Sequence, residues 1–153
     1  MIKIILAIVV IVLLAYIGYG IERYYKTRLK ILVDFKNFIS FCKREIEFYK
    51  SSIDTLINKY DYQTESLKKL LDCYVNNKEM ESIYLNKDII SRFKTFIYEL
   101  SSADFYFKDS VIKSAEEVIA SLLNQAEKDK KQKGELGRKL IVLLGIALIV
   151  LII

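Results

Sequence analysis

Hydrophobic positions follow three regimes: an unbroken run at each end of the chain and helical spacing between them. No charge interrupts the residues from Ile4 to Ile21, nor those from Leu140 to Ile153. Between the runs, Leu32, Phe35, Ile39, Cys42, Ile46, Tyr49, Ile53, Leu56 and Tyr60 recur at three- and four-residue steps. That spacing puts them on one stripe of an α-helix. It predicts a long first helix that continues from the N-terminal run to Tyr60, with Asp61-Tyr62-Gln63-Thr64 as a turn. Leu67, Leu70, Leu71 and Tyr74 predict a short second helix, closed by Asn76-Asn77. A third, capped near Asn86, buries Ile89, Ile90, Phe93, Phe96, Ile97 and Leu100 and stops at Ser101-Ser102-Ala103-Asp104. Ser102 or Asp104 then caps a last helix that buries Ile112, Ala115, Ile119, Leu122 and Ala126, since Ser and Asp side chains satisfy the free N–H groups of a first turn. Beyond Ala126 the stripe ends, and Glu127–Lys133 reads as a solvated helical stalk entering the second apolar run near Gly134 and Gly137.

The chain has no proline, and its five glycines lie at positions 18, 20, 134, 137 and 145, all in or beside the end runs. A middle without either breaker predicts helices joined by short Asn/Asp/Ser turns. The expected fold is all-α: a small antiparallel helical bundle between N-terminal and C-terminal transmembrane helices. The spans are 1–21 for the first anchor, 22–133 for the bundle with its membrane-proximal stalks, and 134–153 for the second anchor. A middle of this size suffices for one core.

A bilayer core ~30 Å thick needs ~20 apolar residues of helix. The first run closes with Tyr16, Tyr19, Gly20, Tyr24 and Tyr25 and no small-x-small cleavage site, so it reads as an uncleaved helix with an interfacial aromatic belt. The second run is fourteen residues, about 21 Å of helix. Arg138 and Lys139 can snorkel to the headgroups and extend it. The residues expected at the membrane interface are Tyr19, Arg23, Tyr24, Arg138 and Lys139. Arg23, Lys26, Arg28 and Lys30 follow the first run, and Lys128, Lys130, Lys131, Lys133, Arg138 and Lys139 border the second, with only Lys3 on the far side. By the positive-inside bias the middle is cytoplasmic and both termini lie across the membrane. The expectation is a two-pass protein of the cell membrane, with lipid as a partner.

A net charge of +5 and a pI near 9.0 would suit a nucleic-acid binder, but the distribution excludes that class. Residues 31–127 hold 13 basic and 16 acidic side chains. The surplus positive charge borders the apolar runs, where anionic lipid attracts each Lys or Arg by ~1 kcal/mol. No basic run interleaved with aromatics marks the middle as a nucleic-acid footprint.

Chemistry-bearing motifs are scarce. The chain has no histidine, no Gly-rich phosphate loop and no Gly-x-Ser-x-Gly elbow. Cys42 and Cys73 match no metal spacing and are expected as reduced thiols, Cys42 as a small core side chain. No cofactor or metal is expected. The acidic clusters Glu45/Glu47 and Glu116/Glu117 read first as solvated faces. Glu45 and Glu47 flank the core position Ile46, so they point to opposite sides. A functional role for the four would be contact with a basic partner, not acid–base work. An enzyme acting on lipid or peptide therefore ranks far below an interaction protein. Sustained three–four spacing also fits a dimeric coiled coil, and a membrane-anchored signalling or scaffold protein dimerising through its long helices is the alternative. The aromatic-rich stripe favours packing within one chain, and a homo-oligomer through the membrane segments stays open although neither holds Gly-x-x-x-Gly.

These features together resemble the stage III sporulation protein AB family over nearly the full length. The likeness starts at Arg28-Leu29 and the Leu32/Phe35/Ile39 stripe. It continues in Glu45-Ile46-Glu47-Phe48, similar to the family's Glu-Ile-x-Tyr-type motif, and in Ser102-Ala103-Asp104, similar to its Ser-Asp turn. It ends in the charged stalk running into Leu136-Gly137. The chain departs at Ser51-Ser52-Ile53, where the family often has Thr-Pro-Leu, and at Leu100-Ser101, where it has Leu-Gly. The resemblance implies a cytosolic bundle similar to that of inner-membrane platform proteins of type II secretion and type IV pilus machines. It implies a place in the channel that joins mother cell to engulfed forespore, in the outer forespore membrane. The implied partners are a cytosolic secretion-type hexameric ATPase, which this protein would couple to the membrane complex, and the other membrane proteins of the channel.

Overall fold

The computed structural model describes the backbone of residues 2–49 and 52–152, with the side chains of residues 8–46, 52–104, 106–148 and 150. It is all-α; among the described residues there is no strand. Helix α1 runs Ile2–Tyr49, α2 Ile53–Lys59, α3 Glu65–Val75, α4 Lys87–Ser102 and α5 Phe105–Asp129. A π-helical turn at Lys130–Glu135 leads from α5 into α6, Leu136–Ile152. The chain forms two compact units: Lys30–Asn124, and Met1–Leu29 with Gln125–Ile153.

The Lys30–Asn124 unit is a helical bundle whose core holds most of the predicted stripes, although Tyr60, Tyr74, Ile90 and Leu122, expected in it, are only half-buried. Leu32, Phe35, Ile39, Cys42 and Ile46 of α1 are all buried, as are Leu67, Leu70 and Leu71 of α3. Ile89, Phe93, Phe96, Ile97 and Leu100 of α4 face Ile112, Ala115 and Ile119 of α5 in the same core class. Phe35 stands at the centre. Its ring stacks on Phe93 with centroids 3.6 Å apart and meets Phe96 edge-on at 5.8 Å. Each such side chain contributes ~1.5–3 kcal/mol by leaving water. Ile31, Phe38 and Ile57 widen the stripes beyond the expected positions. The predicted core position Tyr49 has its side chain outside the described residues.

Two expectations about joins need correction. The first long helix does not reach Tyr60: α1 ends at Tyr49, and α2 starts after Ser52. Ser52 is extended (φ −70°, ψ 156°) and its Oγ accepts from the Thr55 N–H at 3.4 Å. The apolar spacing runs through this break because Ile53 and Leu56 remain buried on its far side. The second correction concerns Lys78–Asn86, which is an irregular stretch rather than a short turn; Met80 and Leu85 anchor it by burial. Its entry matches expectation. Asn77 has φ 52°, a left-handed conformation that Asn tolerates better than most residues. The N–H of Lys78 reaches the Cys73 carbonyl at 2.8 Å and that of Asn77 the Tyr74 carbonyl at 3.1 Å, which closes α3 as a Schellman motif. Asn86 caps α4 as predicted, its Oδ1 accepting from Ile89 N at 3.0 Å.

The other unit pairs the start of α1 with the end of α5, the π turn and α6. A Cβ added at Gly134 would meet Tyr25 Cβ at 3.4 Å, and one at Gly145 would meet Leu14 Cδ1 at 3.1 Å. Residue numbers rise on one partner as they fall on the other, so the pair is antiparallel. Glycine at these points lets the two backbones approach closely. The outward residues are apolar: Ile8, Val9, Val12, Leu13 and Ile17 on α1, and Leu140, Leu143, Leu144, Ile146 and Val150 on α6, are all exposed. One described helix, α1, is long and apolar enough to cross a membrane.

Candidate functional site

The four acidic residues singled out in the sequence do not form one cluster. Glu45 on α1 reaches Lys59 on α2 at 2.7 Å, and its side chain is only 14% exposed. Glu116 on α5 lies 3.6 Å from Lys43 on α1. Both carboxylates therefore tie neighbouring helices of the bundle together, an effect of ~0–1 kcal/mol for a pair at the surface. Glu117 faces solvent. The Glu47 side chain lies outside the described residues.

The expected interface residues all fall in the helical pair. Tyr19, Arg23 and Lys139 are exposed, and Tyr24 stands edge-on to Tyr25 at 5.2 Å. Arg138 donates to Glu22 across the pair, with its aliphatic stem against Gly18. That hydrogen bond holds the Glu22 carboxyl below the usual carboxylate range.

Two buried carboxylates escaped the sequence reading, and both organise their surroundings. Asp34 of α1 is fully buried in the bundle. Its Oδ1 accepts from the Tyr60 hydroxyl at 2.9 Å and from Gln63 N at 3.2 Å; its Oδ2 accepts from Thr64 N at 2.8 Å and Thr64 Oγ1 at 2.7 Å. Four donors saturate a carboxylate that burial would otherwise penalise by several kcal/mol. Thr64, at the N-cap of α3, makes no side-chain cap bond; its hydroxyl is turned toward Asp34, to which it donates. Burial, and secondly the bond to Asp34, push the Tyr60 hydroxyl's pKa up, so it stays a proton donor. A signal was present in the sequence. Asp34 sits three residues after Ile31 and four before Phe38, on the core face, where a lone charge demands partners.

Asp129, 5% exposed, closes α5 just before the π turn. It accepts from Lys133 at 2.8 Å, Gln125 at 3.3 Å and Arg28 at 3.4 Å. The Lys133 hydrogen bond, with the charges of Lys133 and Arg28, holds its carboxyl below the usual range against the opposing effect of burial. Gly134 is buried one position later, against Tyr25. The wide turn adds a residue to the helix and so sets the phase between Gln125–Asp129 and the face of α6 that carries Gly145.

Among the described residues no group of three or more His, Cys, Asp or Glu is placed to hold a metal ion. Burial pushes the Cys42 thiol far above its ordinary pKa, so it stays protonated and behaves as a small apolar side chain.

The described residues thus define an all-α protein with a helical bundle as one unit and an apolar-surfaced helical pair as the other, carrying a helix able to cross a membrane. Residues 3–153 match the family model described as stage III sporulation protein AB. The chain belongs to that family, and its role is in sporulation. No curated protein and no solved structure matches it.

Proposed function

We propose that this protein is a non-enzymatic, two-pass platform of the channel between mother cell and forespore, coupling a cytosolic secretion-type ATPase to the membrane complex. In this reading residues 1–21 and 134–153 are membrane anchors in the outer forespore membrane and residues 22–133 form the cytoplasmic part. The observation that carries it is the antiparallel pair of α1 and α6, whose contacts run through Gly134 and Gly145 while the outward side chains are apolar. In water such a surface would be a liability; in a bilayer it is a solvent match. The basic collar of Arg23, Lys26, Lys130 and Lys131 beside the pair supports a cytoplasmic bundle by the positive-inside bias. Tyr19, Arg23, Tyr24, Arg138 and Lys139 meet the headgroups.

The scaffold alternative is less well supported. The stripe from Leu32 to Ile46 that a coiled-coil seam would need is buried inside the bundle of a single chain. The adaptor role is tested by solubilising the full chain from membranes in mild detergent and adding the purified hexameric ATPase of the same channel. Stoichiometric co-elution is expected. No co-elution, with the bare chain or with the assembled membrane complex, would remove the coupling role.

A further inference from the structure

Helices α4 and α5 leave an open groove between them inside the Lys30–Asn124 unit. Phe93, Phe96 and Ile119 lie along its floor, and its cavity volume is about 240 Å³. The walls carry small or short side chains: Ser91 and Thr95 from α4, Ser114 and Ala115 from α5. The α5 wall continues past the cavity. Phe107, Val111, Val118 and Leu122 are spaced four, seven and four residues apart, one face of a helix. Phe107 at its end is 65% exposed, while the other three are half-buried. The remaining positions on this face are the uncharged Ser110, Ser114 and Ser121. A bundle that needed only to fold would cover such a stripe or place charges on it.

Size and charge select the occupant. The volume lies below the ~300–1,000 Å³ of small-molecule pockets, and the site is a trough rather than an enclosed chamber. A row of apolar side chains from one helix suits it, at i, i+3/i+4 and i+7 spacing. On these two helices Arg92, which lines the groove, pairs with Asp88 at 2.9 Å, and Asp109 pairs with Lys113 at 2.7 Å away from the lining. Glu99, lining the α4 wall, and the exposed Glu117, one turn from both Ser114 and Ser121 on α5, carry no ion pair among the described residues. The groove thus has an apolar floor between walls of short polar side chains, with Arg92 neutralised by Asp88, the Glu99 carboxylate uncompensated in its lining and that of Glu117 beyond the lining on α5. We infer that it docks an amphipathic helix of a partner protein, one whose apolar ridge is flanked by Lys or Arg. This deepens the adaptor reading, on which the partner's identity rests: the ATPase would present that helix.

The test uses the full chain in nanodiscs of zwitterionic lipid, with empty nanodiscs subtracted. Two synthetic 14-residue helices share a leucine ridge and differ in flanks of lysine or glutamate. The lysine peptide is expected to slow amide exchange over residues 91–99 and 111–122. The charge reversal Glu99→Lys/Glu117→Lys, at two exposed positions, weakens its binding at least tenfold, and Val118→Lys abolishes it. Protection by both peptides alike, protection by neither, or indifference to the charge reversal overturns the inference. So does a wild-type dimer that Val118→Lys dissociates, because the groove would then hold a second copy of this chain. The hexameric ATPase is titrated in parallel. Binding that Val118→Lys weakens supports the groove as its dock. Binding that survives both variants overturns that assignment and leaves the adaptor reading intact. An ATPase that fails to bind the wild type removes the adaptor reading, while the peptide arm still decides the groove.

Discussion

The Asp34 carboxylate has four donors, and that of Asp129 has three, Gln125 and Lys133 one turn to either side and Arg28 on the opposite helix; these two side chains set the local geometry of their units. Asp34→Ala leaves two backbone N–H groups and the Thr64 hydroxyl without their acceptor, while the Tyr60 hydroxyl keeps only the Asp34 backbone carbonyl at 3.1 Å. Each orphaned donor costs ~1–3 kcal/mol, partly relieved by relaxation, so the full chain in detergent is expected to lose about 3 kcal/mol. A fall in the melting temperature followed by helical circular dichroism measures it; an unchanged melting temperature would mean that water replaces the carboxylate. Asp129 makes a pH prediction. Its folded pKa lies below the ordinary value of 3.8, so its contribution is complete above about pH 4 and is lost as pH falls through the lowered folded value. Amide exchange over residues 125–135 should therefore hold steady with respect to this group from pH 7 to 5 and accelerate below about pH 4, and Asp129→Asn should remove that acid step. Of the two carboxylates only Asp34 was legible. Asp34 interrupts an apolar face, which is a readable anomaly. Asp129 follows Glu127-Lys128 in a charged stretch, where nothing in the sequence distinguishes a buried acid from its solvated neighbours.

At the scale of elements, spacing and caps carried different information. The stripes of α3 and α4 were legible because each lies on a single face ended by Asn or Ser, and that of α5 because it gives way to charged residues after Ala126. The break before α2 was not, since Ile53 and Leu56 continue the three–four rhythm across it. The readable sign was Ser51-Ser52 itself, at the point where the resembling family often has its proline. Asn86→Ala should cost ~1 kcal/mol by removing the cap of α4. Ser52→Ala should cost less, its cap bond being 3.4 Å long. Thermal melts of the two variants give the comparison, and equal losses would contradict the cap geometry. The π turn was illegible, because Lys130–Glu135 is compatible with any helix and its phase is set by the helix opposite. Its consequence is measurable. A Cβ at Gly145 lies 3.9 Å from that of Leu14, within the ~3.5–4.5 Å of a disulfide. Leu14→Cys/Gly145→Cys should therefore cross-link under mild oxidation, holding together the two fragments made by proteolysis in the 78–86 stretch. Deleting Gln132 rotates α6 by about 100° and should abolish the cross-link.

The molecule as a whole divides its surface chemistry between two units. The apolar runs were visible at once, but the compact helical pair extends past them to Leu29 and back to Gln125. Tyr25 against Gly134 and Arg28 against Asp129 extend the pair beyond the apolar stretch, and neither contact could be read from hydropathy. A platform that is to pass force or position from an ATPase to a membrane complex must be rooted at both ends, with its bundle on the cytoplasmic side. Site-specific labelling tests that directly in non-sporulating cells, where the full chain inserts into the cell membrane, with single cysteines at Ile2, Asn77 and Ile152 in a Cys42→Ala/Cys73→Ser background and a membrane-impermeant maleimide. The account predicts that Ile2→Cys and Ile152→Cys react in intact protoplasts, whereas Asn77→Cys reacts only after permeabilisation. Labelling of Asn77→Cys in intact protoplasts, or of only one of the two ends, would contradict it.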